Sequence, residues 1–170
     1  MANARNKFDK KDSLELGERA ENLFILLAVR MGWKVSISSQ HENIHEHWDY
    51  LIERKTESYR VEVKSEKRLM RNEDVPQQNF IWVELKNVHG ELGWLFGRAD
   101  LIAFERGGTF LIITTNDLKK LVKEKVDLKS IVKNPNEALY KIYQRKGRKD
   151  KLTLLPMKDI EEIKFMEWIK

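Results

Sequence analysis

The stretch HWDYLIERKTESYRVEVKS, residues 47–65, concentrates side chains that can do chemistry on one face of a predicted hairpin. If a tight turn is centred on residues 55–56, the register places Asp49 directly opposite Glu62, and Lys64 follows on the same face. Directly opposed carboxylates destabilise a hairpin by roughly 0.2–1 kcal/mol. An ammonium offsets part of this repulsion, and a divalent metal ion would satisfy both carboxylates more fully.

The same register gives the hairpin one continuous apolar face. Tyr50 lies opposite Val61 and Ile52 lies opposite Tyr59, with Val63 extending the row. A sheet that packs on a core through one face requires this alternation. The charged side chains are therefore predicted on the face that does not meet this core.

Helical and strand-like segments make up the rest of the chain, without an internal repeat or a low-complexity linker. Ser13 can cap the first helix and Gly32 ends it, while Asn116 or Asp117 can cap a later basic helix. Helices are predicted at 14–31, 118–126 and 159–169, and strands at 33–38, 48–53, 58–64, 80–86, 100–105, 109–115 and 151–155. This order predicts a mixed α/β or α+β domain.

Composition limits the class of protein. A chain of 170 residues that is 41% hydrophobic predicts one globular domain over 13–170, after a polar and flexible segment at 1–12. The formal charge of +5 favours a polyanionic partner. The absence of cysteine excludes disulfides, thiolate nucleophiles and cysteine zinc sites. Without a signal-like apolar start or a run of about 18 apolar residues, we expect a cytoplasmic protein without membrane partners.

These residues resemble the signature of the PD-(D/E)xK nuclease superfamily, in particular its Holliday-junction-resolvase-like and phage nuclease branches. The signature is an Asp on one strand followed by Glu-x-Lys on the next, within a restriction-endonuclease-like αβββαβ core whose central mixed sheet is flanked by helices. Asp49 and Glu62-Val63-Lys64 match it. Gly17-Glu18-Arg19-Ala20-Glu21 matches the Gly-x-x-x-Glu spacing of resolvase-like members, with Glu21 on the flank of the helix stripe. The likeness covers roughly residues 14–86, and Trp48 stands where many members have proline.

The resemblance implies a Mg²⁺-dependent endonuclease acting on DNA, and it leaves open whether branched, flapped or single-stranded substrates are selected. Asp49, Glu62 and the backbone carbonyl of Val63 would hold Mg²⁺, for which Mn²⁺ would substitute. Lys64 would orient the attacking water or stabilise charge on the phosphate. Glu21 would bind a water of the metal shell or a second metal ion. Duplex scission would be easiest for a twofold homodimer.

Other interpretations of the same residues stay open. A charged hairpin with a solvated outer face shows the same pattern, and Glu21 can be an exposed glutamate paired with a neighbouring arginine. A nucleic-acid-binding module on the same fold would need no catalysis. His41, His45 and His47 within HENIHEH suggest Zn²⁺ or Ni²⁺ binding, although no long helix carries the zincin spacing.

Basic and aromatic residues cluster outside the hairpin. Such lysines and arginines neutralise phosphates with little sequence information. The candidate nucleic-acid contacts are Lys119, Lys120, Lys123, Arg145, Lys146, Arg148 and Lys149. Trp82, Trp94 and Phe96 are predicted mainly as core, with base stacking as the alternative.

Overall fold

The computed structural model describes residues 4–67 and 76–170, with side chains described from residue 14 onward. Its helices and strands follow in this order: α1 Ala4–Arg30, β1 Lys34–Ile37, β2 Tyr50–Arg54, β3 Glu57–Lys64, β4 Phe80–Lys86, β5 Leu101–Arg106, β6 Thr109–Thr114, α2 Thr115–Lys125, β7 Asp127–Val132, β8 Lys141–Tyr143, β9 Lys151–Pro156, α3 Met157–Glu162 and β10 Lys164–Trp168. Within the described residues, no helix is long and apolar enough to cross a membrane.

A six-stranded mixed sheet in the order β1-β2-β3-β5-β6-β10 carries the predicted hairpin. Strands β1, β2 and β3 pair antiparallel, while β3 pairs parallel with β5. One face packs on α1, because Ala20, Phe24 and Leu27 of the helix meet alternate apolar residues of the strands, including Tyr50 and Val61. The hairpin is thus anchored by a core on its apolar face.

A four-stranded sheet in the order β4-β9-β8-β7 forms a second unit of structure. Its inward residues, such as Val83 and Leu155, share a core with Ile102 and Phe104 of β5 and with residues of α2 and α3. The first sheet is therefore covered on its other face as well. The charged residues of β3 lie at the margin of this second core.

The predicted fold class is confirmed: a central mixed sheet is flanked by helices in a mixed α+β protein. The αβββ part follows the predicted order, but β4 lies in the second sheet and does not pair beside the Glu-x-Lys strand. Sheet membership depends on contacts distant in sequence, which the alternation in β4 does not encode.

Several predicted boundaries are wrong. Helix α1 begins at Ala4, so Ser13 lies inside it and does not cap it. Thr114 caps α2, its hydroxyl accepting from the Asp117 amide, in place of Asn116 or Asp117. The helix predicted at 159–169 is the short α3 followed by β10, which closes the edge of the first sheet against β6. Strands β7 and β8 were not predicted.

Candidate active site on the β2–β3 hairpin

The predicted hairpin register holds from Tyr50 opposite Val61 to Arg54 opposite Glu57. The regular pairing ends just before Asp49, whose amide donates to the Val61 carbonyl over 2.8 Å. At the next position along β3, the side chain of Asp49 replaces a backbone partner, because its Oδ2 accepts a 2.7 Å hydrogen bond from the Val63 amide. The side chain of Asp49 is thereby fixed to the backbone of the Glu-x-Lys strand.

A short helical turn, Glu42–Glu46, holds the other oxygen of the same carboxylate. The side-chain amide of Asn43 donates to Asp49 Oδ1 over 2.7 Å. Ser39 and Glu42 stabilise the turn reciprocally, since each backbone amide donates to the other's side chain, over 2.8 and 3.2 Å. The bond from Ser39 also lowers the pKa of Glu42. Sequence analysis did not identify Asn43, although the Ser-x-x-Glu spacing marks the start of this turn.

Glu62 and Lys64 form an ion pair on the face of β3 that lies away from α1. Glu62 is only 7% exposed, so its charge depends on a partner. The Lys64 Nζ also lies 4.8 Å from the centre of the Trp94 ring, in a cation–π contact. Trp94 is buried, which favours the core interpretation for this tryptophan and gives Lys64 a firm support.

The charges around the hairpin make ionisation of the Asp49 carboxyl unfavourable. Burial, followed by repulsion from Glu62, raises the pKa of Asp49 from 3.8 to about 7. The Val63 amide and the Lys64 ammonium act in the opposite direction without cancelling the rise. The negative charge of Glu21 adds to the rise. Lys64 alone therefore does not neutralise the charges gathered at the end of β2.

Glu21 approaches Asp49 from helix α1. Its carboxylate accepts a 2.9 Å hydrogen bond from the Tyr50 hydroxyl, and burial together with this bond raises the pKa of Tyr50. Glu21, Asn43 and Asp49 line one open cleft, with Ser38 and Ser39 at its edge. The structure thus brings Glu21 to the cleft beside Asp49, on the flank of the helix stripe.

The donor set on the hairpin suits a hard cation that keeps most of its water. Asp49, Glu62 and the Val63 carbonyl offer two carboxylates and one backbone oxygen, and oxygen donors of this kind fit Mg²⁺. In the part of the chain that the structure describes, no three His, Asp or Glu side chains converge to hold a metal ion. The excess negative charge around Asp49 is the feature that a divalent cation would relieve.

The histidine cluster does not form a metal centre in the described part of the chain. The rings of His41 and His45 lie 4.7 Å apart, and His47 ends the turn with a φ of 55°. Glu46 of the same turn accepts from the Trp48 indole and pairs with Arg98. The HENIHEH segment therefore positions Asn43 and anchors the start of β2.

The cations predicted to contact DNA differ in whether another side chain of the protein already binds them. Arg145 is bound to the buried Asp150, so it is engaged within the fold. Lys146, Arg148 and Lys149 are exposed and have no ion-pair partner among residues 4–67 and 76–170. On α2, Lys119 lies 5.9 Å from the Phe96 ring centre, Lys120 is 3.8 Å from Asp117, and Lys123 is exposed.

Comparison with known proteins adds little to this geometry. No family model matches the chain, and no curated protein does. Among solved structures, the chain is similar to a bacterial homing endonuclease, I-Ssp6803I, with a TM-score of 0.45 and 16% identity over 62% of this chain and 70% of that one. A likeness at this level carries no conclusion about activity, and the site is interpreted from its own residues.

Proposed function

We propose that the protein is a metal-dependent nuclease of the PD-(D/E)xK kind that hydrolyses phosphodiester bonds in DNA. The observation that carries the proposal is the juxtaposition on one hairpin of Asp49, the buried Glu62 and Lys64. Carboxylates that repel each other beside an ammonium are unfavourable for folding alone, and they suit a phosphate bound through a divalent cation.

Asp49, Glu62 and the Val63 carbonyl would hold Mg²⁺, and Mn²⁺ would substitute. When bound, such an ion supplies positive charge to the phosphate and lowers the pKa of a coordinated water. Asn43 and the Val63 amide keep the Asp49 carboxylate in one orientation. Hydrogen bonds of this kind to a ligating group raise metal affinity by fixing its geometry.

Lys64 carries the second part of the chemistry. Its ammonium lies between the Glu62 carboxylate and the Trp94 ring, so it can donate a hydrogen bond to a phosphate oxygen or to the attacking water. A cation fixed in this way stabilises the charge that develops during cleavage without reorganising. Glu21, in the same cleft as Asp49, would hold a second water or a second metal ion.

The exposed cations supply affinity for the DNA backbone. Lys146, Arg148 and Lys149 surround a turn next to β8, while Lys119 lies beside the Trp94–Phe96 turn that supports Lys64. Contacts of this type neutralise phosphates and weaken steeply as salt rises. Because one site cuts one strand, duplex scission would use a twofold homodimer.

A non-catalytic nucleic-acid-binding module is the second candidate. The observation that favours it is the closed Glu62–Lys64 ion pair beside an Asp49 whose raised pKa favours its neutral form. Such an arrangement can satisfy its own charges without a cation. Binding to DNA without any metal-dependent cutting would identify this alternative.

The proposal is tested with labelled linear duplex, single-stranded, flapped and four-way-junction DNA in Mg²⁺, Mn²⁺ or EDTA. We expect cleavage by the wild type in either metal, no cleavage in EDTA, and loss of cleavage in Asp49→Ala and Lys64→Ala. Intact substrates in every condition, with DNA still bound, would favour the binding module. Cleavage retained in both variants would show that the hairpin does not carry out the reaction.

A further inference from the structure

Two aromatic side chains lie together on the outer face of the four-stranded sheet. Trp82 of β4 pairs in register with Leu154 of β9, and Tyr143 of β8 pairs with Leu152. The ring centroids of Trp82 and Tyr143 are 5.5 Å apart, and both side chains are half-buried. We call this pair the aromatic platform.

The platform lies on the side of the sheet that does not face the shared core. Ile81 and Val83, the neighbours of Trp82 along β4, are buried in that core, so the alternation of the strand turns Trp82 outward. Leu154 is buried beside Trp82, on the strand that lies between the two aromatic side chains. The prediction that Trp82 belongs to the core is therefore wrong, whereas the same prediction for Trp94 is confirmed.

The β4 end of the platform borders the candidate active site. Trp82 and Lys64 line the same pocket, together with Trp94, Lys67 and Gln77. Lys67 is near enough to interact electrostatically with Lys64 on one side and with Glu84, two residues after Trp82, on the other. A DNA strand with a phosphate bound at Lys64 would therefore have Lys67 and Trp82 as neighbours at the same pocket.

Cations lie beside the platform on β8 and in the turn that follows it. Lys141 precedes Tyr143 by two residues on the same strand face. The turn after β8 adds the exposed Lys146, Arg148 and Lys149. The acidic side chains beside these cations are Glu84 of β4 and Asp127 of β7, which pairs with Lys141, so the positive charge of this face predominates and is complementary to phosphates.

We propose that this face binds an unpaired DNA strand leaving the active site, with bases stacked on Trp82 and Tyr143 and phosphates on the surrounding lysines and arginines. The inference rests on the proposed function and specifies its substrate as DNA with a single-stranded segment beside the cut. Aromatic stacking requires unpaired bases, whereas cations alone would hold duplex and single strand alike.

The test measures binding by fluorescence anisotropy in EDTA, with a fluorescent oligothymidylate and a duplex of equal length. We expect Trp82→Ala to weaken binding of the single strand by at least about tenfold and to change duplex binding little. Trp82→Phe should retain most of the affinity, and Tyr143→Ala should show a smaller loss in the same direction. Phe165→Ala removes a partly exposed aromatic on β10 and is the matched control without an effect.

Equal single-strand affinity in wild type and Trp82→Ala, or equal losses on both DNA forms, would overturn the platform. So would a wild type that binds neither form. Because the measurement is made in EDTA, it is independent of cleavage. A wild type that binds through Trp82 but never cuts would contradict the proposed nuclease and leave the platform standing.

Discussion

The side-chain amide of Asn43 donates a 2.7 Å hydrogen bond to the Asp49 carboxylate, whose other oxygen accepts from the Val63 amide at the same distance. One partner comes from a short turn and the other from the backbone of β3. The orientation of Asp49 is therefore set by two elements, and the turn is as much part of the candidate site as the hairpin.

Replacing Asn43 by Ala should weaken Mg²⁺ binding by about 10–100-fold, because a ligating carboxylate loses the group that orients it. A Mg²⁺ titration, monitored by calorimetry and by the rate of cleavage, measures the change in affinity. Asn43 is exposed, so thermal stability in EDTA should stay near that of the wild type. His45→Ala on the same turn is the control; an equal loss in both variants would point to disruption of the turn.

The raised pKa of Asp49 predicts a particular dependence of stability on pH in EDTA. The native state holds a proton that the unfolded state releases between pH 3.8 and about 7, so stability should fall as pH rises through that window. Asp49→Asn lacks the titrating carboxyl, so its stability should not fall across this window, and relative to wild type it should gain up to about 4 kcal/mol from the lower to the upper end.

Urea unfolding across this range measures the difference. Mg²⁺ should stabilise the wild type above pH 7 more than below it, because a ligating carboxylate must lose its proton. Parallel pH profiles for wild type and Asp49→Asn would contradict the assigned shift.

Lys64→Met should separate metal binding from catalysis. Without the ammonium, cleavage should fall by about 10²–10⁴-fold. The stabilisation that Mg²⁺ gives in a thermal shift should persist or increase, since Glu62 loses its competing partner. Lys34→Met, on the exposed edge strand β1, should change neither quantity. If the variant loses both activity and the thermal stabilisation by Mg²⁺, the role of Lys64 is structural only.

Arg145 and Lys146 are adjacent, but we expect them to behave differently. Arg145→Ala leaves the buried Asp150 without its cation and should cost about 3 kcal/mol of unfolding free energy. Lys146→Ala should leave stability unchanged, weaken DNA binding, and lower the slope of affinity against salt by about one unit. Equal unfolding free energies for the two variants would show that the Asp150 pair contributes nothing.

The hairpin could be predicted from sequence because its signals are local. Alternation fixes which residues face the core, and a tight turn fixes the register from Tyr50 to Arg54. Those two facts place Glu62 and Lys64 on one face. The position of Glu21 followed from the helix stripe in the same way.

The contacts that sequence analysis missed depend on parts of the chain that come together only in the folded state. Asn43 binds Asp49 from a turn that ends with His47 in the left-handed region. Strand β10 was predicted as helix, since a short apolar segment fits both periodicities and only pairing with β6 decides between them. Trp82 faces outward because β4 joins the second sheet, which its own alternation does not specify.

The measurement that tests the central claim most directly is single-turnover cleavage of labelled DNA in Mg²⁺ by wild type, Glu62→Gln and Glu57→Gln. Both glutamates lie on β3, but Glu62 is buried at the site and Glu57 is paired with Arg54 beside the hairpin turn. We predict a loss of about 10³-fold or more for Glu62→Gln and none for Glu57→Gln. Equal rates for the three proteins would contradict catalysis by the hairpin.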